Sequence, residues 1–239
     1  MLRSGWRGKA RDESAKSKCL AALVMTDKLG VTKELAAIGR RFYDRGWVYG
    51  TSGNFSAVVN ERPLRLVVTA SSVHKGTLEP SQFLEINGRG ERVGKGSGKP
   101  SAETLLHTEI VKRRKAGAVL HTHSVWATIL SGSAPDQAGV AIEGFEMLKG
   151  LDGVETHEHR EWIPIIDNDQ DMSRLARVVG ATLDKNPTAH AFLLRRHGLY
   201  TWGKTLAEAE RHVEILEFLF ETIGRMKEKE VHHGAAQST

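Results

Sequence analysis

The stretch Val119-Leu120-His121-Thr122-His123 is the most informative part of this sequence. With Ala118 before it, the apolar run predicts a buried strand that ends in two histidines. Side chains at positions i and i+2 of a strand point to the same side, about 7 Å apart along the chain, so both imidazoles can reach one small cation. The stretch therefore predicts a metal site at the end of a buried strand.

A third histidine stands in the same relation to another apolar run. His197 follows the run 191–194 after two arginines, which predicts a second strand end. Three histidines would fill three positions of a tetrahedral zinc ion and leave one open, as in catalytic zinc sites. The alternative from spacing alone is that His121 and His123 are two unrelated surface or core histidines.

A second His-x-His pair has a different context. His157 and His159 lie among charged residues, and no apolar run anchors them. Such a pattern is typical of a solvated loop. We therefore do not expect this pair to bind a metal.

The length and composition favour one domain. The chain has 239 residues, enough to bury a substantial core, and no Pro/Ser-rich linker interrupts it. We expect a basic, flexible arm over 1–20, a catalytic domain over 21–228 and a flexible tail over 229–239. Part of the formal charge of +5 lies in the arm. We interpret the arm either as a disordered tail or as the result of a translation start site placed too far upstream. The sequence contains no basic motif interleaved with aromatic residues, so it does not indicate nucleic-acid binding.

The sequence also indicates a cellular compartment. No apolar stretch reaches the roughly 18 residues of a membrane span, and no hydrophobic signal core lies near the N-terminus. Cys19 is the only cysteine, which excludes an intrachain disulfide and fits a reducing compartment. We expect a soluble, cytoplasmic protein with no membrane or nucleic-acid partner.

Hydrophobic periodicity predicts helices and strands that alternate irregularly, without a tandem repeat. Helices are expected over 32–45, 101–115, 125–130, 171–184 and 206–223. Brief apolar runs predict strands over 55–59, 64–69, 83–86, 118–122 and 162–166, and either two strands or one bent strand over 191–202. The pattern favours an α/β fold, a three-layer α/β/α domain whose central sheet is largely antiparallel.

Two polar turns are candidates for binding a phosphate group. Ser52, Gly53 and Asn54 belong to a Gly-rich turn that offers backbone amides, a hydroxyl and a side-chain amide, and Ser71 and Ser72 end another predicted strand. Together they could form an anion nest, to which Lys75 would add a positive charge. Such residues are also the ordinary composition of turns, so this alternative stays open.

Two glutamates are candidates for proton transfer. Glu103 lies at a predicted helix start, where acidic residues are also common because of the helix dipole. Glu146 lies, with Glu143, in an otherwise apolar stretch, and apolar neighbours would raise its pKa as a proton-transfer group needs. A surface turn with outward glutamates explains that stretch equally well.

The order of these motifs resembles the class II aldolase/adducin family, from about residue 33 to residue 228. The motifs that carry the resemblance are Thr51-Ser52-Gly53-Asn54, Thr69-Ala70-Ser71-Ser72, Ser101-Ala102-Glu103, His121-Thr122-His123 and His197-Gly198. Three more stretches resemble the members of that family that dehydrate 5-methylthioribulose 1-phosphate. They are residues 144–150, 164–168 and 195–203.

The resemblance implies a class II aldolase-like fold and a catalytic Zn²⁺ ion bound by His121, His123 and His197. It implies that Glu146 occupies the place of the general acid/base. The role of Glu103 stays open, because family aldolases use a glutamate here as a metal ligand and proton-transfer group, whereas some dehydratases have a substrate-contacting cysteine.

The implied activity is a hydro-lyase reaction of methionine salvage. The substrate would be the sugar phosphate 5-methylthioribulose 1-phosphate and the product its 2,3-diketo-5-methylthiopentyl 1-phosphate. Family members are also expected to form homotetramers, with active sites near subunit boundaries.

Two other interpretations compete with this one. A sugar-phosphate aldolase or pentulose-phosphate epimerase would need the same zinc and phosphate site, but the stretches around Glu146 and 164–166 favour the dehydratase. A non-catalytic, adducin-like scaffold would be expected to lose its metal ligands. The three histidines and both glutamates of this chain argue against that scaffold.

Overall fold

The computed structural model describes residues 28–94, 98–134 and 136–236, with side chains up to residue 230. The predicted arm over 1–20 lies outside the described residues. In chain order, the helices and strands are α1 Lys28–Asp44, β1 Asn54–Glu61, β2 Leu64–Thr69, β3 Phe83–Asn87, α2 Thr104–Arg114, β4 Ala118–Thr122, α3 Val125–Gly132, β5 Gly139–Ile142, β6 Glu161–Ile166, α4 Met172–Lys185, β7 Ala191–Leu194, β8 Gly198–Gly203 and α5 Leu206–Ala236.

The described strands form one eight-stranded sheet in the order β3-β2-β1-β4-β8-β7-β6-β5. The strand that carries His121, β4, is central and pairs antiparallel with β1 and β8. Among the described strands, β6 and β7 are the one pair that runs parallel. The prediction of a largely antiparallel sheet is therefore confirmed.

Helices cover both faces of this sheet. Successive strand side chains point to opposite faces, and on β4 Val119 packs in one core cluster with Leu106 of α2 and Val179 of α4. Its neighbour Leu120 packs in another cluster with residues of α1 and with Val213 of α5. Because both faces are covered, the strand is apolar at successive positions and not at alternate ones.

The structure differs from the sequence prediction at two elements. The strand β5, which pairs with β6 at the sheet edge, was not predicted because its four residues are too few to show a period. The last helix continues to Ala236, past the predicted domain boundary at residue 228. Lysine and glutamate fill residues 227–230 and are good helix formers, so the helix continues beyond its apolar stripe. None of the described helices combines the length and apolar character that a membrane crossing needs.

A buried polar network lies between α2 and the sheet. His107 of α2 is fully buried, and its Nδ1 lies 2.7 Å from the Ser56 hydroxyl of β1. Its Nε2 donates to the side-chain oxygen of Asn54, so Nδ1 accepts from Ser56. Burial lowers the pKa of His107 to about 3, and the ring is therefore neutral in the folded protein.

Gly198 allows β8 to approach β4. A Cβ atom at this position would overlap the carbonyl oxygen of Thr122, which belongs to the paired strand and has no room to move. We expect Gly198→Ala to lower the free energy of unfolding by roughly 3 kcal/mol, in the range of overpacked cores. Urea denaturation would measure it. The matched control is Gly88→Ala, whose new Cβ would lie 3.4 Å from Leu64 in ordinary contact, and an equal loss in both variants would contradict the prediction.

His107 should make the protein less stable in acid. Its pKa is lower in the folded state than in the unfolded state, so its contribution is present above about pH 6.5 and is lost as the pH falls toward 3. One such group changes the free energy of unfolding by about 1.4 kcal/mol per pH unit. Urea denaturation from pH 7 to pH 5 should show a shallower loss of stability in His107→Gln than in the wild type. Equal slopes would show that His107 does not titrate this way.

Candidate active site

Three histidines converge at one edge of the sheet. Because β4 and β8 are antiparallel neighbours, the end of β4 and the start of β8 meet there. The Nε2 atom of His123 lies 2.8 Å from that of His121 and 3.1 Å from that of His197. The three ligand nitrogens lie within 4.8 Å of one another. The structure thus brings together the three histidines that the sequence singles out.

The turn that carries His197 is fixed by the arginine two residues before it. The Arg195 side chain pairs with Asp167 and donates to the backbone carbonyls of Ser131, Ala134 and Gln137. Arg196, between them, has a positive φ of 53°. The two arginines of the sequence thus belong to a tightly held turn that presents His197 to β4.

The ring orientations suit a bound metal. The Nδ1 atom of His121 donates to the Leu199 carbonyl over 2.8 Å, and the ring stacks on Tyr200 with 3.8 Å between centroids. Its Nε2 therefore directs a lone pair into the cluster. Nitrogens that bind one tetrahedral zinc at about 2.0–2.1 Å are roughly 3.4 Å apart, which is close to the separations here. The donor set and its geometry fit zinc.

The histidines are also in the protonation state that a metal requires. Burial lowers the pKa of His123 to about 3. For His121 burial again lowers the pKa, and the neighbouring His123 and His197 lower it further. Burial lowers the pKa of His197 as well, although the charge of Glu103 opposes this. The rings are neutral at pH 7 and can act as ligands.

Glu103 lies beside this cluster. Its carboxylate oxygens are 3.2 Å from His197 Nε2 and 3.5 Å from His121 Nε2. Although Glu103 occupies the N-cap position of α2, its side chain does not cap the helix and instead accepts a hydrogen bond from Asn54. The position of Glu103 is therefore explained by the histidines and not by the helix dipole. One residue of the site was not predicted from the sequence: His107, which binds Asn54 and follows Glu103 by four residues on the same helix face.

A cavity of about 310 Å³ opens at the histidine cluster. It is lined by every residue that the sequence suggested for phosphate binding, namely Ser52, Gly53, Asn54, Ser71, Ser72 and Lys75. Glu103, His123 and His197 line it as well. Asn168, Gln170 and Met172, for which the sequence predicted no contact with a ligand, complete one wall. Their signal was the end of the apolar run 162–166, since strand ends also carry the histidines.

Lys75 is a buried cation in this cavity. The residue is 1% exposed, and its Nζ donates to the carbonyls of Thr51 and Val73, each over 3.0 Å. Burial lowers its pKa to about 8, and the negative charge of Glu103 opposes that effect. At pH 7 the ammonium is therefore still largely charged. Two of its three N–H donors form hydrogen bonds with backbone carbonyls, so one is left for a ligand.

Gly53 brings the Gly-rich turn against the strand that carries the histidines. Its φ is +72°, a conformation that glycine adopts readily. A Cβ atom at this position would lie 2.6 Å from the carbonyl oxygen of His121. The turn thus packs directly against β4, and its polar groups lie next to the three histidines.

Glu146 does not lie at the histidine cluster of its own chain. It begins a short 3-10 helix after β5, and its side chain is 74% exposed. It is not among the described residues that line the cavity. Lys149, whose Nζ is 2.8 Å away, lowers the pKa of the Glu146 carboxyl. The expectation that apolar neighbours raise this pKa is therefore wrong for the single chain, because the carboxyl points into solvent beside an ammonium group.

The second His-x-His pair does not form a metal cluster. Within the described part of the chain, His121, His123 and His197 are the one group whose geometry could hold an ion. His159 instead donates to the buried Glu161 over 2.8 Å, and His190 contacts the same carboxylate. His157 is more than half exposed. The loop is thus held by hydrogen bonds at one histidine and solvated at the other.

The sequence matches a known family and several of its curated members. The family described as Class II Aldolase and Adducin N-terminal domain matches residues 33–223. The methylthioribulose-1-phosphate dehydratase of Methylococcus capsulatus is 44% identical over 194 residues, which are 81% of this chain and 92% of that protein. The enzyme of the same name from Pseudomonas fluorescens is 44% identical over 192 residues, 80% of this chain and 90% of that protein.

Solved structures share the fold. YgbL from Escherichia coli, described as a putative aldolase/epimerase/decarboxylase, superposes with a TM-score of 0.70 and 25% identity and covers 84% of this chain and 91% of its own. The L-fuculose-1-phosphate aldolase of Thermus thermophilus superposes with a TM-score of 0.65 and 22% identity, over 89% and 99% of the two chains. At that identity the second likeness concerns the fold alone. The chain belongs to the class II aldolase and adducin family and, within it, to the methylthioribulose-1-phosphate dehydratases.

Proposed function

We propose that the protein is a zinc-dependent lyase that dehydrates 5-methylthioribulose 1-phosphate to 2,3-diketo-5-methylthiopentyl 1-phosphate, a reaction of methionine salvage. The observation that carries this proposal is the convergence of three neutral histidines on a cavity lined by hydroxyls, amides and a buried lysine. Curated dehydratases of this name, 44% identical over most of the chain, support it. A cytoplasmic location remains our prediction.

His121, His123 and His197 would hold the zinc ion. When bound, the ion supplies a Lewis acid that makes the proton next to the substrate ketone more acidic. The turn over Ser52 and Gly53 and the hydroxyls of Ser71 and Ser72 would hold the phosphate group. The third donor of Lys75 would add a charged hydrogen bond, and these contacts together would fix the register of the sugar chain.

We assign proton transfer to Glu146 of a neighbouring copy of this chain. The 3-10 helix that carries Glu146 is anchored by Leu148, which is fully buried against α5, so it cannot swing to the cavity of its own chain. The carboxyl is exposed and thus free to enter a neighbour's open cavity. This assignment agrees with a homotetramer whose active sites lie near subunit boundaries.

The reaction needs one proton removed and one delivered. Glu146 removes the proton from the carbon next to the ketone, the electron pair forms a carbon-carbon double bond, and the hydroxyl on the following carbon leaves. The protonated Glu146 gives its proton to that hydroxyl, which departs as water. The enol that remains relaxes to the diketone. Glu103, held by Asn54 inside the cavity, accepts a hydrogen bond from a substrate hydroxyl and orients it for this exchange.

Turnover should depend on the metal. Purified protein with zinc should release the diketone from 5-methylthioribulose 1-phosphate, and removal of the metal with a chelator should reduce the rate at least 100-fold until zinc is restored. Product formation can be followed by mass spectrometry. Fuculose and ribulose phosphates serve as competing substrates, because faster retro-aldol cleavage of these sugars would refute the dehydratase assignment. Protein that binds no zinc would instead favour the scaffold interpretation.

Complementation should show where Glu146 acts. Glu146→Gln and His123→Ala should each be inactive alone, the first with zinc still bound. Co-expressed, they should form mixed oligomers in which a site with intact His123 lies beside a copy with intact Glu146. Random assembly would then restore about a quarter of the wild-type activity. No restored activity would place Glu146 in its own chain's site, and turnover by Glu146→Gln alone would remove it from the reaction.

A further inference from the structure

A buried carboxyl lies directly behind the strand that carries the histidines. Glu217 of α5 is 2% exposed, and its Oε1 accepts a hydrogen bond from the Thr122 hydroxyl over 2.6 Å. The Ser124 hydroxyl also donates to it. Thr122 and Ser124 are themselves buried, and they are the residues immediately before and after His123. Glu217 thus contacts the side chains on both sides of His123, from the face of β4 opposite to that of His121.

Packing alone does not explain a carboxyl at this position. The face of α5 around it is apolar, and Leu216 and Phe220 are fully buried in the core. Burial raises the pKa of Glu217 to about 7 in spite of the two hydroxyl donors, so its ionised form is costly here. A leucine would fill the same space without that cost. The presence of a carboxyl at this position is therefore explained by the two hydroxyls from which it accepts hydrogen bonds.

Those two hydroxyls fix the path of the chain through His123. The Thr122 hydroxyl ties the last residue of β4 to α5. The Ser124 hydroxyl also accepts from the backbone N–H of Ala127 and caps α3, so one carboxyl links α5, β4 and the start of α3. His121 has its own orienting contacts at Leu199 and Tyr200, whereas the backbone of His123 is held by the Trp47 carbonyl and by this linkage.

We propose that Glu217 is a positioning residue of the metal centre, which holds His123 at the correct separation from His121 and His197 through Thr122 and Ser124. The inference rests on the proposed function, since it requires these histidines to bind zinc. It assigns no contact between Glu217 and substrate or metal. Its consequence is that a change at the core of α5, on the far face of β4, alters metal binding.

The test is the zinc affinity of Glu217→Leu in the full-length protein, measured by competition with a chromophoric chelator. We expect the dissociation constant to rise 10- to 100-fold, the range for lost partners of metal ligands. The visible spectrum of the cobalt-substituted protein should change as well, because it reports the ligand geometry. Glu217→Gln, which can still accept from Thr122, should recover part of the affinity.

Two further variants separate positioning from stability. Glu161→Gln removes another buried carboxyl, at the start of β6, which accepts hydrogen bonds from His159 and His190. This variant should be less stable than the wild type, while its zinc affinity stays within twofold of the wild-type value. If Glu217→Leu fails to fold, the double variant Thr122→Val/Glu217→Leu takes its place, because it also removes the Thr122 donor and leaves Ser124 to cap α3. The same 10- to 100-fold rise in the dissociation constant is expected for it. Unchanged affinity and an unchanged cobalt spectrum in a folded Glu217 variant would overturn the inference. Wild-type protein that binds no zinc would overturn the proposed function with it, whereas zinc binding without turnover would affect the proposed function alone.

Discussion

The antiparallel pairing of β4 with β8 sets the positions of the groups that form the candidate site. It places His121 opposite Tyr200 and brings the turn before β8 against the residues after β4. Pairing of β4 with β1 on the other side places Asn54 opposite His121 as well. Three consecutive strands of one sheet therefore supply the ligands, the stacking ring and the amide that holds Glu103. A slip of one residue in either ladder would turn these side chains to the opposite face.

The pairing of β4 with β1 and β8 also explains how polar groups can be buried around the histidine cluster. Two buried groups near the cluster have partners on both sides, whereas the Nδ1 atom of His197 finds no hydrogen-bond partner among the described residues. Burial keeps His107 neutral between Ser56 and Asn54. Lys75 donates to two carbonyls, and the negative charge of Glu103 opposes the effect of burial on its pKa, so that it stays largely charged at pH 7. Satisfied networks of this kind are rigid, because any rearrangement leaves a buried donor or acceptor unpaired. The site is therefore largely formed before any ligand arrives.

Much of this arrangement could be predicted from the sequence, because strand ends are visible in it. The histidines at 121, 123 and 197 follow apolar runs, so each could be placed at a strand end. The polar turns at the other strand ends were found for the same reason. The convergence of the three histidines depends on the pairing of β8 with β4, which the sequence does not show. Exposure was harder to predict. Glu146 has apolar neighbours along the chain, yet only the packing of its helix against α5 decides that its carboxyl faces solvent.

Under the proposed function, Glu103 would act within its own chain and Glu146 on a neighbouring copy. Glu103 is held beside the histidines by contacts within the chain, so its position exists in the monomer. Glu146 extends from the segment after the edge strand β5, at the end of the sheet farther from β4. A metal centre needs rigid ligands, which a central strand supplies, whereas a proton-transfer group on an exposed segment can be delivered by association. With the acid/base on a neighbouring copy, the isolated chain would bind metal and phosphate but lack the group that moves the proton, and activity would be coupled to assembly.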